Sequence, residues 1–304
     1  MDGRFNKRWV IAVRISETEM AKRVDKLKVL LSPCRLCPHR CMVDRKQGER
    51  GRCGVGVRAK VASYGPHFGE EPPLVGLYGS GTVFFSGCNL SCVYCQNYTI
   101  SQLREGHEVK TEELASIFLE LAHRGCHNIN LVTPTHQAPM IVEALAVATE
   151  AGLEIPIVWN CGGYETVEVL RLLEGIVDIY MPDVKYGDEA AALRYSGAPG
   201  YVQNIEAVLH EMHHQLGDLV IERGIAKQGL LVRHLVLPNN LTSSKRVFEM
   251  IASVLGPDSY LNVMEQYRPC YKASEYPDLA RPLSRKEYAE AVTLARKVGL
   301  WRSF

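Results

Sequence analysis

Thr82-Val83-Phe84-Phe85-Ser86-Gly87-Cys88-Asn89-Leu90-Ser91-Cys92-Val93-Tyr94-Cys95 joins two signals in one stretch. Thr82 to Phe85 form a short β-prone apolar run, which reads as a strand. Gly87 then lets the backbone turn away, and three cysteines follow as Cys88-x3-Cys92-x2-Cys95 with no proline between them. In a parallel β/α sheet, functional groups gather past the C-terminal ends of the strands, where this loop falls. Three thiolates within eight residues can hold three corners of a cubane iron–sulfur cluster. Full thiolate ligation takes four, so one iron is left open for an exogenous ligand. A three-cysteine zinc site is the competing reading. Zinc normally takes a fourth ligand, or an open water position with histidine present, and the loop contains no histidine.

Downstream, strand and helix signals alternate. Thr111 opens a helix with Leu114, Ile117, Phe118 and Leu121 on its apolar face. Residues 129–132, 155–159, 177–181, 230–236 and 260–264 read as strands two to six. Residues 139–151, 166–173, 188–196, 201–216 and 243–255 read as the helices between them. Ser284-x-x-Glu287 forms a capping box for a last helix. Six successive β/α units predict a parallel sheet with helices outside. About 225 residues suit a partial (β/α)6 TIM-like barrel better than a closed eight-unit one of about 250. The expected fold class is therefore α/β, a partial barrel over residues 76–304 with an N-terminal Cys-rich metal-binding extension over residues 1–75.

In that extension Ile15, Met20, Val24, Leu27 and Leu31 have helical spacing. Residues 32–75 are rich in Cys, Gly and Pro, have little periodicity, and read as a compact metal-stapled segment. They contain Cys34-x2-Cys37-x3-Cys41-x11-Cys53, so seven of the ten cysteines lie between Cys34 and Cys95. The four front cysteines can bind a structural zinc or a second iron–sulfur cluster. Gly48, Gly51 and Gly54 permit the tight turns a ligand knuckle needs, and reduced structural thiols are the bland alternative.

Composition sets the limits. The chain has 304 residues, 46% hydrophobic and 23% charged, as in an ordinary globular protein, which excludes a disordered tail protein or a collagen. The net charge of +1 makes no case for wholesale nucleic-acid binding, but residues 1–60 hold 16 Lys/Arg against 6 Asp/Glu. Such a front third could meet an acidic partner or an RNA, or be a solvated face. Trp9 to Val13 is apolar but is cut short by Arg14, so it reads as neither a signal core nor an anchor. No membrane association and a cytoplasmic, reducing compartment are expected, and there clustered cysteines hold metal more often than they form disulfides.

Cys88 to Cys95 resembles the cluster loop of the radical S-adenosylmethionine enzymes, including the aromatic residue before the last cysteine. The whole chain is similar to PflX-type proteins, relatives of the pyruvate formate-lyase activating enzyme. The likeness is carried by Glu71-Pro72-Pro73, Gly79 to Phe85, Cys95-Gln96-Asn97, Val132-Thr133-Pro134-Thr135-His136, Pro182-Asp183-Val184-Lys185-Tyr186 and Arg233 to Pro238. The resemblance implies a 4Fe–4S cluster on Cys88, Cys92 and Cys95. Its open iron is chelated by S-adenosylmethionine, which is cleaved to a 5′-deoxyadenosyl radical that removes hydrogen from a substrate. It further implies an electron donor such as flavodoxin or ferredoxin, and a substrate that is a glycyl residue of a partner enzyme. A small molecule or a modified macromolecule such as RNA is the alternative substrate. A metal-binding adaptor is the reading from another class, disfavoured by the scarcity of base-stacking aromatics between Cys34 and Cys53.

The same resemblance places cofactor-binding groups at the strand ends. Tyr94 falls near the adenine. Thr133, Thr135 and His136 follow strand two, where many relatives carry a Gly-Gly-Glu stretch that this chain lacks; threonine hydroxyls and carbonyls could substitute. Asn160 and Cys161 follow strand three. Asp183-x-Lys185 follows strand four and matches an activating-enzyme pattern, Arg233 lies in strand five, and Gln266, Tyr267 and Arg268 follow strand six. A purely structural pairing of Asp183 with Lys185, or of Arg233 with an acid, is the plainer account. His210-Glu211-Met212-His213-His214 matches a zinc-peptidase pattern, but Ile205, Leu209, Met212 and Leu216 define the buried stripe, so His210 and His214 are expected on a solvated face.

Overall fold

Each apolar run read as a strand pairs with the next one along the chain. The computed structural model describes residues 15–302; Trp9 to Val13 lie outside the described residues. In chain order the elements are α1 (Glu17–Val29), β1 (Ala59–His67), α2 (Pro72–Val75), β2 (Ser80–Phe85), α3 (Tyr98–Ser101), β3 (His107–Val109), α4 (Thr111–His123), β4 (Ile129–Val132) and α5 (Ala138–Glu150). They continue with β5 (Ile157–Cys161), α6 (Val167–Leu173), β6 (Ile179–Pro182), α7 (Glu189–Ser196), α8 (Tyr201–Leu216), β7 (Val220–Glu222), β8 (Ile225–Leu235), α9 (Ser244–Leu255), β9 (Tyr260–Met264) and α10 (Arg285–Lys297).

β2, β4, β5, β6, β8 and β9 are six parallel strands in that spatial order. They form the partial barrel expected from the sequence, with helices packed outside. β1 pairs antiparallel with β2 and carries β3 beyond it, while β7 pairs antiparallel with β8. These three strands have no counterpart in the sequence reading. β1 grows out of the Cys-rich segment, so that segment extends the sheet.

Side-chain alternation builds the site. Val158, Ile179 and Leu231 belong to an apolar cluster with Leu74, Leu219 and Ala226. Two residues further along the same strand faces stand Asn160, Met181 and Arg233. Met181 still belongs to the apolar cluster, so the apolar rung lies below strand ends at which β5 and β8 turn polar. The faces bearing Trp159, Tyr180 and Leu230 join the larger core shared with the helices. Helix ends follow their capping chemistry: the Ser16 hydroxyl accepts the Glu19 amide at α1, and Ser284 with Glu287 closes a capping box at α10. Among the described residues, no helix is long and apolar enough to cross a membrane.

Candidate active site at the mouth of the barrel

β2 delivers the three-cysteine loop. Gly87 has φ +77°, and a Cβ there would stand 2.5 Å from the Cys53 carbonyl oxygen, so the turn requires glycine. Beyond it, the Ser91 and Val93 amides donate to the carbonyls of Ser196 and Tyr195, each at 2.9 Å, which fastens the loop to the end of α7. All three sulfurs have polar neighbours. The Leu90 amide donates to Cys88 Sγ at 3.3 Å, the Ser196 hydroxyl donates to Cys92 Sγ at 2.9 Å, and Ser101 Oγ lies 3.1 Å from Cys95 Sγ. Ser196 also bonds Tyr186, whose hydroxyl is 2.7 Å from that of Tyr94. Burial pushes the Cys88 and Cys92 thiols up, so thiolates here call for a compensating cation.

The three cysteines line a cavity of about 160 Å³ with Asn160, Asp183, Lys185 and Arg233. Cys92, Cys95 and those four polar residues also line a second cavity of about 320 Å³ that reaches Glu70, Tyr94, Met264 and Gln266. Arg233 is the centre of the polar group. Its Nε is 2.8 Å from Asp183 Oδ1 and its Nη2 is 2.7 Å from Asn160 Oδ1. Nη1 stands 3.6 Å from Glu70 and 3.7 Å from Glu71. Lys185 Nζ donates to Asp183 Oδ2 at 2.6 Å. Burial works to raise the Asp183 carboxyl, but Arg233 and Lys185 outweigh it and hold the group below its usual range. Glu70 has less help: burial raises its carboxyl despite Arg233. Glu71 accepts from Asn262 at 2.9 Å, and its other oxygen is buried without a hydrogen-bond partner.

Asn160, Asp183, Lys185 and Arg233, predicted at separate strand ends, are thus brought together, with Tyr94 beside them. Thr133 also lines the smaller cavity, with φ +60°, a backbone conformation unusual for a β-branched residue. Thr135 and His136 go elsewhere. A 3-10 turn over Thr135–Gln137 carries them under the neighbouring loops. There the Thr135 hydroxyl donates to Glu165, and His136 Nε2 lies 2.9 Å from the Ser86 carbonyl. Neither side chain reaches the cavities, because both are consumed by buried partners. Cys161 lines the smaller cavity and Gln266 the larger one. The sequence reading missed Glu70, whose approach to Arg233 spans most of the chain.

His210 and His214 are exposed on α8 as expected, while Glu211 pairs with Arg171 and Gln215. Among the described residues no three His, Cys, Asp or Glu side chains are drawn together tightly enough to share one metal ion. The ligands of a single tetrahedral zinc–thiolate centre stand about 3.8 Å apart. Those of a cubane stand further apart, each on its own iron.

Residues 82–221 match the Radical SAM superfamily. The chain is 36% identical over 293 residues to the uncharacterized protein MJ0674 of Methanocaldococcus jannaschii, covering 91% of this chain and 78% of that one. Among solved structures it is similar to HydG, a maturase of the FeFe-hydrogenase, at 12% identity and a TM-score of 0.48, covering 71% of this chain and 48% of the other. It therefore spans about half the length of HydG. It is also similar to anSMEcpe with bound AdoMet, at 12% identity and a TM-score of 0.44, covering 70% of this chain and 57% of the other. A partial α/β barrel with a three-cysteine loop past its first parallel strand defines an iron–sulfur class. The chain belongs to the radical SAM superfamily.

Membership implies a 4Fe–4S cluster and S-adenosylmethionine. The residues present fit both groups. Three sulfurs face one cavity, each with a polar neighbour, and one cluster corner is left without a protein thiolate. Lys185 and Arg233 can meet a carboxylate, and Asp183 an ammonium or ribose hydroxyls. Phe85, Leu90, Ile100 and Val132 give the smaller cavity apolar walls.

Proposed function

We propose that the chain cleaves S-adenosylmethionine reductively and uses the resulting 5′-deoxyadenosyl radical to take a hydrogen atom from a glycyl residue of a partner enzyme. The observation that carries the reading is the convergence of Cys88, Cys92 and Cys95 on one cavity with Asn160, Asp183, Lys185 and Arg233. When bound, the cluster supplies one electron to the sulfonium, which breaks a carbon–sulfur bond homolytically.

The chain's own residues do the rest. Ser196 and the Leu90 amide direct hydrogen bonds at two of the sulfurs and fix their orientation. Asp183, held ionised by Lys185 and Arg233, offers a fixed anion at the cavity wall. Arg233 is held by its acidic neighbours and Asn160, so its fork is oriented before any ligand arrives. The apolar walls limit water that would quench a radical. Support for the glycyl substrate comes from the Asp183-x-Lys185 pattern and the larger cavity leading outward to Gln96 and Gln266. A low-potential one-electron donor such as flavodoxin or ferredoxin supplies the electron.

The test is anaerobic reconstitution with iron and sulfide, then reduction with S-adenosylmethionine present. The expected product is 5′-deoxyadenosine, abolished in Cys88→Ala, Cys92→Ala and Cys95→Ala. Unchanged turnover in all three removes the radical reading. A candidate partner that gains no protein-based radical signal while 5′-deoxyadenosine still forms removes the glycyl substrate.

A further inference from the structure

The four front cysteines form a second constellation. Cys34-x2-Cys37-x3-Cys41 places three thiols within eight residues, the reverse of the spacing in the barrel loop, and Cys53 returns to them. Cys34, Cys41 and Cys53 all lie within electrostatic reach of Cys37. Three N–H groups point at three of these sulfurs: the His39 amide at Cys37, the Arg52 amide at Cys41 (3.5 Å), and Arg45 Nη2 at Cys53 (2.9 Å). A Cβ on Gly51 would come within 2.8 Å of Cys41 Sγ, so bare backbone leaves room for that sulfur.

Arg45 is the independent sign of a charged ligand. It is only 2% exposed. Its other partners are the carbonyls of His136 (2.8 Å) and Gly56 (3.4 Å), and its Nε has none. Among the described residues no carboxylate pairs with it. A guanidinium buried without an anion is costly, and thiolates in a negatively charged metal centre supply the missing charge.

The constellation also touches the barrel loop. His39 Nε2 donates to the Asn89 carbonyl at 2.8 Å, next to Cys88, and the Cys53 carbonyl packs on Gly87. The His39 ring meets that of Tyr164 at 5.2 Å, and Tyr164 stacks on Tyr201 at 5.9 Å. Tyr201 in turn meets Tyr186 at 5.7 Å, and Tyr186 bonds Ser196, which bonds Cys92. Unbroken contact therefore joins the two cysteine groups.

We propose that Cys34, Cys37, Cys41 and Cys53 bind a second iron–sulfur cluster that passes single electrons to the cluster on Cys88, Cys92 and Cys95. Among the described residues no three of these thiols are drawn together tightly enough to share one ion, which favours a cluster over a lone zinc, and a fourth thiolate closes the corner that the barrel loop leaves open. With no open iron, the site is fitted for electron transfer. A low-potential one-electron donor reduces the front cluster by one electron. The front cluster is reoxidised as the barrel cluster gains that electron, and no bond forms or breaks. The relay rests on the radical reading above; the metal content does not.

The experiment measures iron, sulfide and zinc, with electron paramagnetic resonance after reduction, in the anaerobically reconstituted chain and in its Cys88→Ala/Cys92→Ala/Cys95→Ala variant. About eight irons per chain are expected in the first and about four in the second, whose reduced signal ignores S-adenosylmethionine. About one zinc in place of that iron overturns the proposal, as does absence of metal in a variant folded by circular dichroism. If the triple variant does not fold, Cys37→Ala/Cys41→Ala must lower the iron from about eight to about four, and retention of all of it overturns the proposal. His39→Ala keeps every ligand. It should lose the fast phase of barrel-cluster reduction by a protein donor at unchanged iron content, and an unchanged rate overturns the relay. Four irons in the triple variant, with no 5′-deoxyadenosine from the unaltered chain, sustain the front cluster and end the radical reading.

Discussion

His234 Nδ1 donates to the Val184 carbonyl oxygen at 2.6 Å, fixing the link between Asp183 and Lys185 from behind. A carbonyl only accepts, so the proton sits on Nδ1. Nε2 therefore accepts, from the Ser244 hydroxyl at 3.0 Å. Burial lowers the imidazole to about 4, which keeps this tautomer neutral. His234→Ala strands the Val184 carbonyl inside the fold at a cost of about 1–3 kcal/mol, while the Ser244 hydroxyl keeps Thr242 Oγ1 at 3.0 Å. The expected outcome is a lower urea midpoint together with weaker S-adenosylmethionine binding by equilibrium dialysis. His234→Asn, which can still donate to the carbonyl, should recover part of the binding; equal loss in both variants sinks the positioning role.

Arg233→Met removes the one guanidinium that Asp183, Glu70 and Glu71 share. Asp183 keeps Lys185, but Glu70 and Glu71 lose the guanidinium they face inside the fold, and breaking a buried pair from one side costs about 3–5 kcal/mol. Arg233→Lys keeps the charge but loses the fork that spans Asp183 and Asn160. Stability should therefore rank unaltered, Lys, then Met, by denaturant titration. Ligand affinity should fall in both variants, and a Lys variant that binds as the unaltered chain does would show that the fork is dispensable.

The six parallel strands were legible because each is a short apolar run bounded by turn residues, such as Ile129 to Val132 before Thr133-Pro134. β1 was not: Gly65 and Pro66 interrupt it, and its outer half is exposed or half-buried, so neither alternation nor hydrophobicity marks it. Asn160, Asp183 and Arg233 could be read as site residues because strand ends converge in a parallel barrel. Thr135 and His136 sit in equivalent sequence positions yet leave the cavity. The turn after β4 decides their direction, and its left-handed residue is Thr133, which no sequence rule demands. Glu70, Ser196 and His39 reach the site only through contacts between distant segments, and single-sequence periodicity carries no such information.

Gly87→Ala tests the junction between the two cysteine groups. Its φ of +77° disfavours any L side chain, and the new Cβ would press on the Cys53 carbonyl at 2.5 Å. The left-handed strain alone is about 1–2 kcal/mol, and the backbone contact adds to it because a carbonyl cannot swing aside. A drop in thermal midpoint of several degrees is expected, with loss of iron from the barrel loop. Gly152, at φ +94° with open space around its Cβ position, is the control: Gly152→Ala should show the strain without the metal loss.

Glu165 provides a pH test. Its carboxyl is fully buried, and burial, opposed by the Thr135 hydroxyl, raises it from the ordinary 4.5 to about 7. Below pH 4.5 both the folded and the unfolded chain carry this proton. Between pH 4.5 and about 7 the folded state keeps it while the unfolded state releases it, so stability falls as pH rises through that window. Above about 7 the loss is complete, on the order of 3 kcal/mol. Glu165→Gln retains an acceptor for Thr135 and has nothing to ionise. Comparing the two chains by urea titration at pH 5 and pH 8 cancels the histidines and other groups they share. The Gln variant should gain stability relative to the unaltered chain on going from pH 5 to pH 8. A difference that stays flat across that interval would mean that the carboxyl ionises in the fold as freely as it does in water.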